Sequence, residues 1–162
     1  MHGILVTLTL LTCLGCGLTA GVFFAFSAFV MKAFARLPPA EGIAAMQSVN
    51  AAAVAPAFMT ALFGTAAACA VLTIWSIVNW QQPYAGYLLA GSVLYLAGTI
   101  AVTAAYHAPR NKALDRVRPD DADADAARHW DSYLTAWTAG NHVRAVATLA
   151  ALAMLSIALT TG

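Results

Sequence analysis

Five side chains near the C-terminal end carry the strongest chemical signal. Trp130, Tyr133, Trp137, Asn141 and Arg144 recur at spacings of three and four. At roughly 100° per residue they fall within about 40° of a single line on a helix. That face bears aromatic rings, an amide and a guanidinium. An interfacial aromatic belt with a snorkelling arginine accounts for the tryptophans. Asn141 and Arg144 point instead to a pocket, because polar groups at the membrane edge of a bundle face inward or toward a cavity. His142 lies about 140° away from the stripe. A second cluster, His107-Ala108-Pro109-Arg110-Asn111, is expected on the same side. An imidazole changes protonation near neutral pH, and exclusion of water favours its neutral, basic form. His107 is therefore the best candidate for a base or a ligand. Pro109 lacks a backbone N–H and predicts a turn there.

These groups must be positioned by something, and the composition says what. Of 162 residues, 61% are hydrophobic and 9% are charged. Soluble domains run at about 25% charged. So few charges cannot cover a soluble globule, which excludes a cytosolic enzyme, a disordered chain and a nucleic-acid binder. The expected partners are a lipid bilayer and lipophilic small molecules, with no nucleic acid. No charged residue occurs before Lys32 or between Gly42 and Pro109, and none follows Arg144. With about 20 apolar residues needed per crossing, the runs at approximately 4–31, 53–79, 84–106 and 142–160 predict four spans. The first run is too long for a secretory h-region and reads as a retained span.

The expected fold is all-α: one domain over 1–162, an antiparallel four-helix transmembrane bundle. Polar-side segments are expected at 32–52 and 107–141. Pro38-Pro39 stops the first helix and starts a short interfacial one carrying Ile43, Met46 and Asn50 on one face. A polar loop with Asp120, Asp121, Asp123 and Asp125 precedes the fourth span and reads as a solvated cap rather than a cation site. Gly17 and Gly21 form a GxxxG that predicts close helix contact, and Gly91 and Gly98 recur in the third span. The Gly-rich faces leave a homo-oligomer open. Every lysine and arginine lies in the two long loops or at the base of the fourth span. The positive-inside rule then puts those loops in the cytoplasm and both termini outside an inner or plasma membrane. Cys13, Cys16 and Cys69 sit in apolar runs and read as small buried hydrophobes despite a CxxC spacing.

Four stretches resemble the anthrone oxygenase-like family of small four-helix membrane proteins. They are Gly21-Val22-Phe23-Phe24-Ala25-Phe26-Ser27 with Phe29-Val30-Met31, Leu37-Pro38-Pro39 with Gly42 to Asn50, Pro109-Arg110-Asn111-Lys112-Ala113-Leu114, and Trp130, Tyr133-Leu134, Trp137-Thr138 with Asn141-His142-Val143-Arg144. The family commonly has Asn-x-Pro-x-Asn at the end of the third helix, and here His107 replaces the first Asn. The resemblance implies an oxidoreductase, a monooxygenase turning an anthrone methylene into a quinone carbonyl with O₂ and no organic cofactor. Fitted to that chemistry, His107 is the expected base. Arg144, Asn141 and Asn111 are the expected donors to a developing oxyanion. Trp137, Tyr133, Trp130, Phe23, Phe26, Asn50 and His142 are the expected substrate-binding side chains. No metal site is expected. Two other readings stay open: a membrane binding, transport or accessory protein, and a metal or haem oxidoreductase using His107, His129 and His142.

Overall fold

The computed structural model describes residue 1, residues 3–118 and residues 124–161, the side chains of 124–126 excepted. Five helices account for the architecture. α1 runs Gly3–Phe34 and contains a π-helical turn at Phe26–Val30. α2 is Pro39–Ala53, and α3 is Pro56–Val78. α4 runs Ala85–Leu114, with π turns at Leu96–Ala101 and Thr103–His107. α5 is Ala124–Thr160. Among the described residues there is no strand. α1, α3, α4 and α5 each hold a stretch long and apolar enough to cross a membrane. They close a ring in which α1 packs on α5, α5 on α4, α4 on α3, and α3 on α1.

The helices form because their apolar content is uniform rather than one-sided. Ile4, Leu14, Ile74 and Val146 are all more than 60% exposed. Such a surface suits lipid, where a helix satisfies its own backbone and needs no polar face. Prolines set two helix starts: Pro39 and Pro56 each stand in a first turn, where the missing N–H has no ladder partner to lose. The threonines turn inward. Thr9, Thr12 and Thr19 return their hydroxyls to carbonyls one turn earlier, at 2.8, 2.7 and 2.9 Å. Across helices, Tyr95 Oη donates to the Leu62 carbonyl at 3.0 Å, and the Thr99 and Thr148 hydroxyls pair at 2.6 Å.

Three expectations change. Pro109 does not end the third helix, which continues to Leu114. A π turn ends two residues before the proline, at His107, and its wider spacing relieves the clash of a proline ring with the carbonyl behind it. Beside it, the Arg110 guanidinium donates to the Tyr106 carbonyl at 2.9 Å. The helix that carries the expected fourth span likewise begins well before residue 142, at Ala124. The aromatic stripe and the expected span are one helix, so the stripe forms part of a bundle wall. Asp120, Asp121 and Asp123 lie outside the described residues.

The third change concerns close packing. A Cβ on Gly17 or Gly21 would meet nothing, so the GxxxG is not a contact within the bundle. The close approaches lie elsewhere. A Cβ on Gly15 would overlap Thr65, and one on Gly98 would overlap the Ala147 methyl. Along α4 and α5, Gly91 meets Leu155, Gly98 meets Ala147, and Tyr106 meets Gly140. The cysteines behave as expected of small hydrophobes: all three are free, and Cys16 and Cys69 are buried.

This distribution gives an ordered expectation. Gly98→Ala forces α4 from α5 and costs about 1–3 kcal/mol, read as a lower unfolding temperature in detergent. Gly17→Ala and Gly21→Ala leave that temperature unchanged or raise it. The reverse order contradicts the packing.

Candidate functional site

Above the apolar half of the bundle, the polar groups converge. The first to place is Asn141 on α5, which is fully buried. Its Nδ2 donates to the Phe23 carbonyl at 2.7 Å and to Ser27 Oγ at 2.8 Å. The α1 π turn begins three residues after Phe23, and loosened helical turns of this kind leave backbone groups open to side chains. With its N–H groups committed to α1, Asn141 presents Oδ1 to its own helix. Arg144 Nη2 donates to that oxygen at 2.7 Å. Arg144 Nη1 reaches Thr103 Oγ1 on α4 at 3.3 Å. One amide and one guanidinium thus join α1, α4 and α5.

The Arg144 surroundings decide the electrostatics. The residue is 6% exposed, and its Nε has no hydrogen-bond partner. Its guanidinium carbon lies 4.4 Å from the Phe23 ring centroid and 5.3 Å from that of Trp137. Aromatic faces attract a cation but do not neutralise it. Among the described residues no carboxylate pairs with it. A buried charge without a counter-ion is costly, and it attracts an anion.

Arg144 lines a cavity of about 310 Å³. The walls are Phe23 and Phe26 from α1, Met46, Val49 and Asn50 from α2, Phe58 from α3, Asn111 from α4, and Trp137 from α5. Phe26 and Trp137 face each other with ring centroids 5.6 Å apart and planes tilted by 51°. The volume lies at the small end of the roughly 300–1,000 Å³ typical of ligand sites.

α2 closes this cavity because its buried face is anchored at both ends. Ile43 and Met46 are buried, as their spacing predicted. Gly42 lies so close to the Trp130 indole that a Cβ would overlap it. Gln47 Nε2 donates to the Leu114 and Val117 carbonyls at 2.9 and 2.8 Å, capping the end of α4.

Six of the expected site residues therefore line one cavity: Phe23, Phe26, Asn50, Asn111, Trp137 and Arg144. Five do not. Asn141 sits behind Arg144 and holds it. Trp130 is a packing residue, 2% exposed, stacked on Tyr133 at 5.7 Å. Tyr133 turns its hydroxyl to Asn111 Oδ1 at 3.0 Å. His142 is exposed and lines a different groove with Lys32 and Asp131. His107 is 1% exposed and packs edge-on against Trp137 with ring centroids 5.1 Å apart. It does not line the cavity. The cause is local: the α4 π turn ends at His107, and Gly140 admits the imidazole and the Tyr106 ring where any Cβ would overlap them. The expected base is thus a wall element behind Trp137.

Sequence reasoning missed Ser27, Thr103 and Gln47. Ser27 stands one helical turn after Phe23, so their shared face was a usable signal. Thr103 and Gln47 act across helices and left none. As for metals, no three His, Cys, Asp or Glu side chains come together among the described residues. His129 lines a third groove beside Arg110 and Ser132. The three histidines of the metal reading thus stand in different surroundings and form no ligand set.

Comparison with known families gives one match. A sequence model described as anthrone oxygenase matches residues 53–154. Asn111, Trp137, Asn141 and Arg144 fall inside the match; Phe23, Phe26 and Asn50 fall before it. No curated protein and no solved structure matches the chain.

If Asn141 holds the guanidinium, Asn141→Leu strands Arg144, Ser27 and the Phe23 carbonyl together. The expected cost is about 1–3 kcal/mol, measured by denaturant unfolding in detergent, with Ser27→Ala costing less. Wild-type stability in Asn141→Leu contradicts the assignment.

Proposed function

We propose a function from one premise: the chain belongs to the anthrone oxygenase family. On our reading it is a membrane oxidoreductase that uses O₂ on a flat, lipophilic, acidic C–H compound held in the Arg144 cavity. The observation that carries this is the guanidinium itself, buried among aromatic rings, without a carboxylate partner among the described residues, and lining the cavity. Such a charge favours a ligand that becomes anionic during reaction.

The chemistry balances without a resident oxidant. A methylene flanked by two aryl rings and conjugated to a ketone loses a proton to solvent and becomes a delocalised enolate. Arg144 stabilises the oxygen on which the charge rests. The enolate gives one electron to O₂, and the resulting radical pair joins as a C–O bond to a peroxide. That peroxide regains the first proton as a hydroperoxide. Loss of the remaining C–H proton with cleavage of O–O gives the carbonyl and water. One O₂ is used per methylene; one oxygen atom enters the ketone and the other leaves as water.

On this reading Trp137, Phe23 and Phe26 clamp the ring system, and Asn111 is a second donor. His107 supports Trp137 rather than removing the proton. Val22, Ala52 and Ala53 line the cavity and remain partly or largely exposed, so a greasy substrate reaches it from the apolar side, between α1 and the α2–α3 junction. We place the lysine- and arginine-rich end in the cytoplasm and both termini outside, from the charge distribution alone.

The test is O₂ uptake by purified protein in nanodiscs supplied with anthrone. Wild type consumes one O₂ per anthrone. Arg144→Met slows this by about 10²–10³-fold, as for loss of an oxyanion donor. A general base is worth about 10²-fold or more, so His107→Gln slows it by less than about tenfold. Full activity in Arg144→Met sinks the proposal. Tight binding of anthrone without O₂ uptake marks a binding protein instead.

A further inference from the structure

The cavity's second polar group is oriented from behind. Asn111 Oδ1 accepts two hydrogen bonds, from Tyr133 Oη at 3.0 Å and from Trp137 Nε1 at 3.0 Å. The indole fixes which amide atom this is. Its Nε1–H donates and has no lone pair to accept. The atom facing it must be the oxygen. Both lone pairs of that oxygen are then occupied, and the amide NH₂ is the group left over. It has no acceptor among the described residues, and Asn111 lines the cavity.

We propose that Tyr133 is a positioning residue: together with Trp137 it locks the Asn111 amide so that only N–H donors face the cavity, which makes Asn111 a selector for ligands bearing an acceptor oxygen. This rests on the cavity being the ligand site proposed above. It gives Tyr133 a role that does not require contact with the ligand, and Tyr133 does not line the cavity. The guanidinium of Arg144 is likewise a donor without acceptor capacity. Asn50 is fixed in the opposite sense. Its Nδ2 donates to Asp115 Oδ1 at 3.2 Å, and a carboxylate oxygen accepts, so Asn50 keeps an acceptor oxygen. The cavity thus has two donor groups, Arg144 and Asn111, and a single amide acceptor on α2.

Two substitutions separate the parts of this claim. Asn111→Asp still accepts from Tyr133 and Trp137, but turns the remaining atom from donor to acceptor. Tyr133→Phe removes one of the two locks and leaves the ring. The readout is binding, followed by quenching of tryptophan fluorescence in nanodiscs under nitrogen, with two probes of similar flat shape. Anthrone carries a ketone oxygen and 9,10-dihydroanthracene does not. Wild type prefers anthrone by about tenfold or more. Asn111→Asp abolishes or inverts that preference, and Tyr133→Phe lowers it severalfold, while the hydrocarbon binds all three proteins alike. Asn111→Ala, which deletes the donor without adding charge, replaces Asn111→Asp if the latter fails to fold, and is also expected to lose the preference.

An unchanged preference in the Asn111 variant overturns the selector role. A lost preference there with an unchanged one in Tyr133→Phe overturns the positioning role alone. Failure of wild type to bind either probe overturns both this inference and the function it rests on, whereas binding with preference but without O₂ uptake in air leaves the inference standing and removes only the oxygenase reading.

Discussion

A cation fixed inside an apolar helix is the constraint around which this molecule is arranged. Arg144 is nearly buried, has no carboxylate partner among the described residues, and has two of its nitrogens held by Asn141 and Thr103. Burying a charge in this way is costly, and two features reduce the cost. The Phe23 and Trp137 rings supply their negative faces. The Asn141 oxygen is aimed by bonds from its own amide to α1. The remaining cost keeps the guanidinium available to a ligand, since no carboxylate among the described residues neutralises it.

The rest of the fold can be understood as what that arrangement requires. The half of the bundle built on Leu5, Cys16, Cys69, Leu72, Leu88 and Leu155 is tightly packed and apolar. The other half is packed through Met31, Ile43, Met46, Leu114, Trp130 and Trp137, with α2 folded across it as a fifth wall. Close approaches at Gly42, Gly98 and Gly140 bring backbones near enough for amide and indole groups to reach across. π turns occur in α1 and α4 beside the site. They redirect side chains and loosen carbonyls without ending a helix, which is how α1 offers the Phe23 carbonyl to Asn141 and how α4 carries His107 inward.

Much of this was legible in the residues, for reasons that differ from place to place. Charge-free runs mark membrane helices because lipid tolerates no unpaired charge, so four spans were readable from composition alone. The Trp137–Asn141–Arg144 face was readable because helical periodicity is fixed. Periodicity gives a face but no depth. It could not say that Trp130 packs on Gly42, that Tyr133 turns to Asn111, or that Asn141 stands behind the arginine. Pro109 misled because a proline normally breaks the ladder, and the π turn that absorbs it depends on tertiary packing. The GxxxG misled because small residues permit close contact without causing it. His107 drew attention by its chemistry, yet its burial was set by Gly140 on another helix, a pairing no local pattern records.

The most direct test of the central claim is an absorption titration of a lipophilic hydroxyaryl ketone bound to the protein in nanodiscs, compared with the same ketone in empty nanodiscs. An uncompensated guanidinium in the cavity predicts that the bound ligand ionises at least about one pH unit lower, and that Arg144→Met returns it to the value in lipid. No shift on binding, or a shift to higher pH, contradicts the account.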